Sequence, residues 1–397
     1  AYEIHERLVG SEMCIRDRMN SLNIFIKFLL FIVYLFFTIN PSYSNDNSNW
    51  LKINKEGMIA FKERNFIKAE SFYIQAIEEA KKANLDAELS ATLNNLGLLK
   101  TELLQFEEAE KLITESLRLR LEYYGSNHRY VAQSYNNLAR VYESSELMEE
   151  SIELYVKAIK VYESLGNKYS MLLARTLINI STVQLNIGLL EVAQINLVRA
   201  LALSKKFERD NIVSLSAMSN LAALFVQKGN YIEAEEIYLR LIEIRKQTEG
   251  VKSISLARVL NNLAVLYKKN CKYDLAFSYI SEAVNIWNSL KSKDKLNHAK
   301  AYHNQGELYK AQGKYDLAIK SFQRGISIIK ESSNVLYEQY LEQSYALINL
   351  YIKTGKLSEA KILIENINIQ NQKKEKKLIT LDTVPEEVYE DCSSSNI

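Results

Sequence analysis

The chain has 397 residues, 47% of them hydrophobic, with 50 basic and 48 acidic side chains and a formal net charge of +2. That is enough apolar material for a large core and excludes a chain disordered throughout, and with no basic excess to answer a phosphate backbone, nucleic acid is not the expected partner. Two prolines, Pro41 and Pro385, and 12 glycines leave residues 42–384 free of the ring that breaks helices, which points to an all-α protein.

Taken from the N-terminus, residues 1–18 (AYEIHERLVGSEMCIRDR) differ in character from the rest of the chain, and SEMCIRDR resembles translated sequencing-adapter read-through. The natural start is therefore expected at Met19. Residues 19–44 have the pattern of an export signal: Lys27, the apolar run Phe28–Ile39, Pro41, and small residues at Ser42 and Ser44. Twelve apolar residues fall short of the ~20 that span a bilayer, so a cleaved signal and a bacterial periplasmic location are expected. An inner-membrane anchor over residues 22–39 is the alternative, and it would be the chain's one contact with a membrane.

From there the sequence repeats. Asn95, Asn137, Asn179, Asn220, Asn262 and Asn304 follow one another at 42, 42, 41, 42 and 42 residues. Fourteen residues after each stands a small residue: Ala109, Ser151, Ala193, Ala234, Ala276 and Ala318, with Ala69 and Ala360 extending the ruler at either end. This makes eight units over residues 50–372, each reading as two amphipathic helices around a short turn, with Gly188, Gly229, Gly313 and Gly355 at equivalent turn positions. A small residue also recurs two after the Asn (Gly97, Ala139, Ser181, Ala222, Ala264, Gly306), and a large aromatic eighteen after (Tyr155, Tyr238, Phe322). Residues 373–397 begin in a charged run and are expected to form a polar, mostly disordered tail.

These positions resemble the tetratricopeptide repeat, and the 42-residue period with LNNLA phrases resembles its kinesin-light-chain subclass; His128-Arg129-Tyr130-Val131-Ala132 is similar to a loop of that subclass with Arg129 in place of proline. The resemblance implies an α-α solenoid, a right-handed superhelix of eight helix-turn-helix repeats whose first helices line a concave groove. It further implies that Asn95, Asn137, Asn179, Asn220, Asn262 and Asn304 face that groove and pair with the backbone of a bound peptide. Read from the residues alone, the same asparagines could instead tie neighbouring repeats together, because polar groups on packed helices need partners either way.

Arg175, Arg258 and Lys300, four before the Asn, and Arg140, Lys268 and Lys310, three or six after it, are expected on the same face, favouring a protein or peptide guest of acidic character. Phosphate-loop, nucleophile-elbow and HExxH motifs are absent. Cys14, Cys271 and Cys392 are far apart, and His298 and His303, five residues apart, fall on different helix faces. No disulfide framework, metal, cofactor or catalytic centre is expected. The expected function is an exported scaffold for protein–protein interaction; the alternative is a peptide-sensing regulator whose superhelix changes shape on binding.

Overall fold

The computed structural model describes residues 46–204, 212–290, 294–331, 337–373 and 378–385. The stretches 1–18 and 19–44, and with them the expected export signal and its alternative anchor over 22–39, lie outside the described residues. Those that are described contain sixteen α-helices and no strand. In hairpin order they are α1 (Asp46–Lys62) and α2 (Phe66–Lys82), α3 (Asp86–Glu102) and α4 (Phe106–Tyr124), α5 (Arg129–Ser144) and α6 (Met148–Ser164), α7 (Ser170–Asn186) and α8 (Leu190–Ser204), α9 (Ile212–Gln227) and α10 (Tyr231–Glu249), α11 (Ile254–Lys269) and α12 (Tyr273–Leu290), α13 (Lys295–Ala311) and α14 (Tyr315–Lys330), and α15 (Tyr337–Lys353) and α16 (Leu357–Lys373). These eight pairs are the eight sequence repeats. The chain forms two compact units, divided between Val141 and Tyr142 inside α5.

Each hairpin closes by the same device. The residue nine after the Asn position has a positive φ in all eight: Arg64, Leu104, Glu146, Gly188, Gly229, Cys271, Gly313 and Gly355. The next residue's N–H then returns to the carbonyl five positions back, as in Gln105 to Lys100 (2.9 Å) and Lys314 to Tyr309 (2.9 Å), the 6→1 bond that closes a helix around a left-handed residue. Four of these positions carry a side chain, so the turn is imposed by the hairpin as well as permitted by glycine.

Within a hairpin the helices cross at small residues. Ala69, Ala109, Ser151, Ala193, Ala234, Ala276, Ala318 and Ala360 are all 0% exposed, consistent with close backbone approach where a larger side chain would hold the helices apart. A knob from the second helix fills the notch at the small position of the first. A Cβ on Gly57 would lie 2.7 Å from Tyr73, one on Gly97 2.4 Å from Ile113, and one on Gly306 2.7 Å from Phe322. Repeat 8 replaces glycine with Ile348 and the aromatic with Ile364, both buried.

Between hairpins, first helices of consecutive repeats touch: α1 with α3 in the first unit, and α7 with α9, α9 with α11 and α11 with α13 in the second. No comparably close pair of second helices occurs among the described residues. Each unit therefore carries its first helices on the inner side of its stack, where neighbouring elements are closest. Exposed ion pairs join successive repeats, among them Arg64–Glu102, Glu163–Arg199 and Lys246–Glu282; each contributes little by itself.

The tail expectation is corrected in part. Residues 378–385 fold back on the last repeat with Ile379 and Val384 buried, because Asn368 on α16 pairs with both backbone groups of Ile379. Residues 386–397 lie outside the described residues.

Candidate interaction face

The asparagine ladder sits on the first-helix layer of both units, and Asn95, Asn137, Asn220 and Asn304 are each bonded to the preceding repeat. In the first unit Asn137 donates to Asn94 Oδ1 (2.9 Å), Asn136 to Asn137 Oδ1 (3.4 Å) and Asn95 to Asn54 Oδ1 (3.4 Å). In the second, Asn304 donates to Asn261 Oδ1 (2.9 Å), Asn261 to Asn262 Oδ1 (3.4 Å) and Asn220 to Thr182 Oγ1 (3.0 Å). The acceptor for Asn137 and Asn304 is the residue just before the previous repeat's Asn. Sequence reasoning missed this partner, although the doubled asparagines 94–95, 136–137 and 261–262 were its signal. Asn137 is buried, whereas Asn95, Asn179, Asn220, Asn262 and Asn304 are half-buried. A carboxamide has two N–H groups and an oxygen with two lone pairs, so one inter-repeat bond uses only part of its capacity.

The cations expected beside the ladder divide into two groups. Arg140 is half-buried, and Arg175 and Lys300 are exposed. Arg258 is held by Asp294, with Nη2 2.8 Å and Nε 2.9 Å from Oδ2. Lys310, expected to line an accessible face, is instead buried with its Nζ 2.7 Å from Glu307 Oε1, and Lys268 lies 3.5 Å from the other oxygen of that carboxylate. Burial pushes the Glu307 carboxyl up, but the two lysines outweigh it and hold the group below its usual range. At Arg258, Lys268 and Lys310 the positive charge expected of the groove's middle and later part is therefore compensated, because acids three residues after the Asn or at the start of the next repeat meet those cations.

The first unit carries a hollow that no single motif announced. A cavity of about 270 Å³ opens beside the ladder between α3 and α5, lined by Trp50, Asn94, Asn95, Arg120, Tyr124, Tyr130 and Gln133. Arg120 on α4 is buried and donates to the Tyr130 carbonyl (2.9 Å) and Ser134 Oγ (2.8 Å), with its guanidinium 5.5 Å from the Tyr130 ring. Tyr124 stacks on His128 with ring centres 4.3 Å apart, and Arg129 lies 4.5 Å over Tyr130. Burial, then the charges of Arg129 and Arg120, lower the His128 pKa, favouring a neutral ring within this aromatic group. Trp50 is fixed by its N–H to Thr92 Oγ1 (2.8 Å). The hollow thus has rigid aromatic walls and a carboxamide rim, suited to a side chain of a guest whose main chain runs along the ladder. A second hollow, about 460 Å³ and more open, lies along α12 in the second unit, with Phe277, Ser281 and Asn285 in its wall.

Among the described residues there is no cluster of His, Cys, Asp and Glu able to hold a metal ion, and no helix is long and apolar enough to cross a membrane.

The family model for the tetratricopeptide repeat matches residues 88–164, 134–206, 213–270 and 255–331, together more than half of the chain. No curated protein matches in sequence. Among solved structures, the apo form of RapI is 16% identical, covering 82% of this chain and 87% of that one with a TM-score of 0.53. A tetratricopeptide repeat protein from Parabacteroides merdae is 17% identical, covering 74% and 98% with a TM-score of 0.51. A kinesin light chain protein with nearly identical TPR-like repeats, from Podosopora anserina, is 18% identical, covering 52% and 98% with a TM-score of 0.46. At these identities the first two likenesses bear on the fold alone.

Proposed function

The chain belongs to the tetratricopeptide repeat family, and from that premise we propose that it is an exported scaffold whose first-helix layer holds an extended segment of a partner protein. The observation that carries this reading is the juxtaposition, in the first unit, of the half-buried ladder carboxamide of Asn95 with an aromatic-walled hollow at its side. A guest there can pair its peptide groups with Asn95 and Gln133 whatever its sequence, and lay one side chain against the contiguous rings of Tyr124 and Tyr130, whose centres are 5.3 Å apart. The chain itself supplies an example of the chemistry: Asn368 engages both the N–H and the carbonyl of Ile379, each at 2.8 Å.

Arg175 and Lys300 favour an acidic segment, with Arg258, Lys268 and Lys310 contributing less because Asp294 and Glu307 already neutralise them. Export rests on the signal-like residues 19–44, and a periplasmic location follows from it; cell fractionation with an N-terminal sequence of the mature chain tests both. The interaction itself is tested by titrating a captured partner against the wild-type chain and the Asn95→Ala, Gln133→Ala double variant, which removes the two groups at the hollow. Two hydrogen bonds of about 0.5–1.5 kcal/mol each correspond to a weakening of about five- to 150-fold, and an unchanged affinity rejects the ladder as the contact surface.

A further inference from the structure

We propose that the end face of the last repeat, made by α15 and α16, is a docking surface for a short aliphatic–turn–aliphatic segment of a partner protein, and that residues 378–385 occupy it in cis. This surface is separate from the ladder, and the inference does not rest on the groove reading. Three features of the segment LITLDTVP carry it.

The side chains that enter the face are few and similar. Ile379 and Val384, five residues apart, are buried in the apolar cluster that holds Ile348, Ile364 and Ile367. The residues between them satisfy their own polar groups. Leu381–Thr383 forms a 3₁₀ turn, with Thr380 N–H donating to Thr383 Oγ1 (2.7 Å) and Thr383 N–H to the Thr380 carbonyl (3.1 Å). The remaining fastening is to main chain alone: Asn368 pairs with both backbone groups of Ile379, and Asn349 Nδ2 donates to the Pro385 carbonyl (2.9 Å). With Leu381 also packed, half-buried, against the same cluster, the face reads three aliphatic positions and a peptide backbone, and a guest with aliphatic residues at positions one, three and six and Ser or Thr at two and five meets these requirements.

The segment's one helical element, the Leu381–Thr383 turn, is bonded within the segment and can leave with it; small, locally fastened elements of this kind open at low free energy. In earlier repeats of the second unit the following hairpin packs on the second helix, as α13 does on α12 and α15 on α14. On repeat 8 the segment packs there instead. A tethered occupant competes at the millimolar effective concentration of a short linker, so free peptide binds well only once the tether is released.

The test uses the full chain. A fluorescein-labelled peptide with the sequence of residues 377–386 is titrated against wild type and against the Ile379→Asp, Val384→Asp variant, which releases the resident segment. The proposal expects micromolar binding to the released chain, at least about tenfold weaker binding to wild type, and a loss of about tenfold when Asn368→Ala is added to the released chain. A folded released chain that ignores the peptide, or equal binding by both chains, overturns it. Should the released variant not fold, native-state hydrogen exchange of the wild type decides: an Ile379 amide exchanging well ahead of Leu350 supports a detachable occupant, and exchange in step with α15 refutes it.

Discussion

Gly306 and Phe322 occupy one site between them: a Cβ on the glycine would lie 2.7 Å from Phe322 Cε1 and 2.9 Å from Cδ1 and Cζ, on a ring that is itself fully buried. The ring has nowhere to retreat. Gly306→Ala is therefore expected to destabilise the second unit by about 1–3 kcal/mol, the usual cost of overpacking a core. Phe322→Leu in the same chain should recover part of the loss by making room for the methyl. Denaturant unfolding of the three variants measures this, and the same reasoning predicts a loss of similar size for Ala234→Phe at the helix crossing of repeat 5.

Leu104 makes the opposite case. Its φ of 61° puts an exposed, branched side chain in a conformation that costs an L-residue about 1–2 kcal/mol, while Gly188, Gly229, Gly313 and Gly355 meet the same demand without a Cβ. Leu104→Gly should raise stability by about 0.5–1 kcal/mol, after allowing for the extra freedom of glycine in the unfolded chain. A lower melting temperature would show that Leu104 contributes packing that outweighs its backbone strain.

The carboxamide relay is open to a double-mutant cycle. Asn304 donates to Asn261 Oδ1 at 2.9 Å across two repeats, so Asn304→Ala and Asn261→Ala should each cost about 0.5–1.5 kcal/mol. Because the two share one bond, the double variant should cost clearly less than their sum. Strict additivity would mean that the pair does not tie the repeats.

Acidification should weaken the region around α12 and α13. His298 is buried against Trp287 and Tyr302, with Nε2 3.1 Å from Asn288 Oδ1. Burial, then Lys295 and Arg324, lower its pKa to about 4, against smaller opposite effects of Asp294 and Glu331. The folded pKa lies below that of the unfolded chain, about 6.5, so between those values the unfolded state takes up a proton that the folded state refuses. Stability is retained above about pH 6.5 and lost as the pH falls toward 4, by at most about 3.4 kcal/mol. Hydrogen exchange of α12 and α13 at pH 7 and pH 4.5 should show the loss in wild type and a smaller one in His298→Gln.

The features legible in the sequence are those that a single repeat imposes on itself. The small residue at Ala234 and its seven counterparts reports a helix crossing that each hairpin must make, and the spacing of Asn95 to Asn304 fixes the register. What escaped are features built from residues distant in the chain or imposed by geometry. Arg64, Leu104, Glu146 and Cys271 adopt the turn conformation that glycine marks elsewhere, because the hairpin demands it regardless of side chain. Lys310 looks like a surface charge until Glu307, one turn earlier, is seen to lie beneath it. The hollow of the first unit joins Trp50 to Tyr130 across 80 positions, and the fold of residues 378–385 depends on two asparagines, Asn349 and Asn368, that no periodic ruler distinguishes.

The central claim is that a partner lies on the first-helix layer. The most direct measurement places a photo-crosslinking residue at Gln133, on the rim of the first unit's hollow, and separately at Lys111, exposed on the second helix α4, in the full chain in its native cells. The expected result is a discrete partner adduct from position 133 that Tyr130→Ala diminishes, and none from position 111. An adduct from position 111 alone, or one of equal yield from both, would contradict the claim.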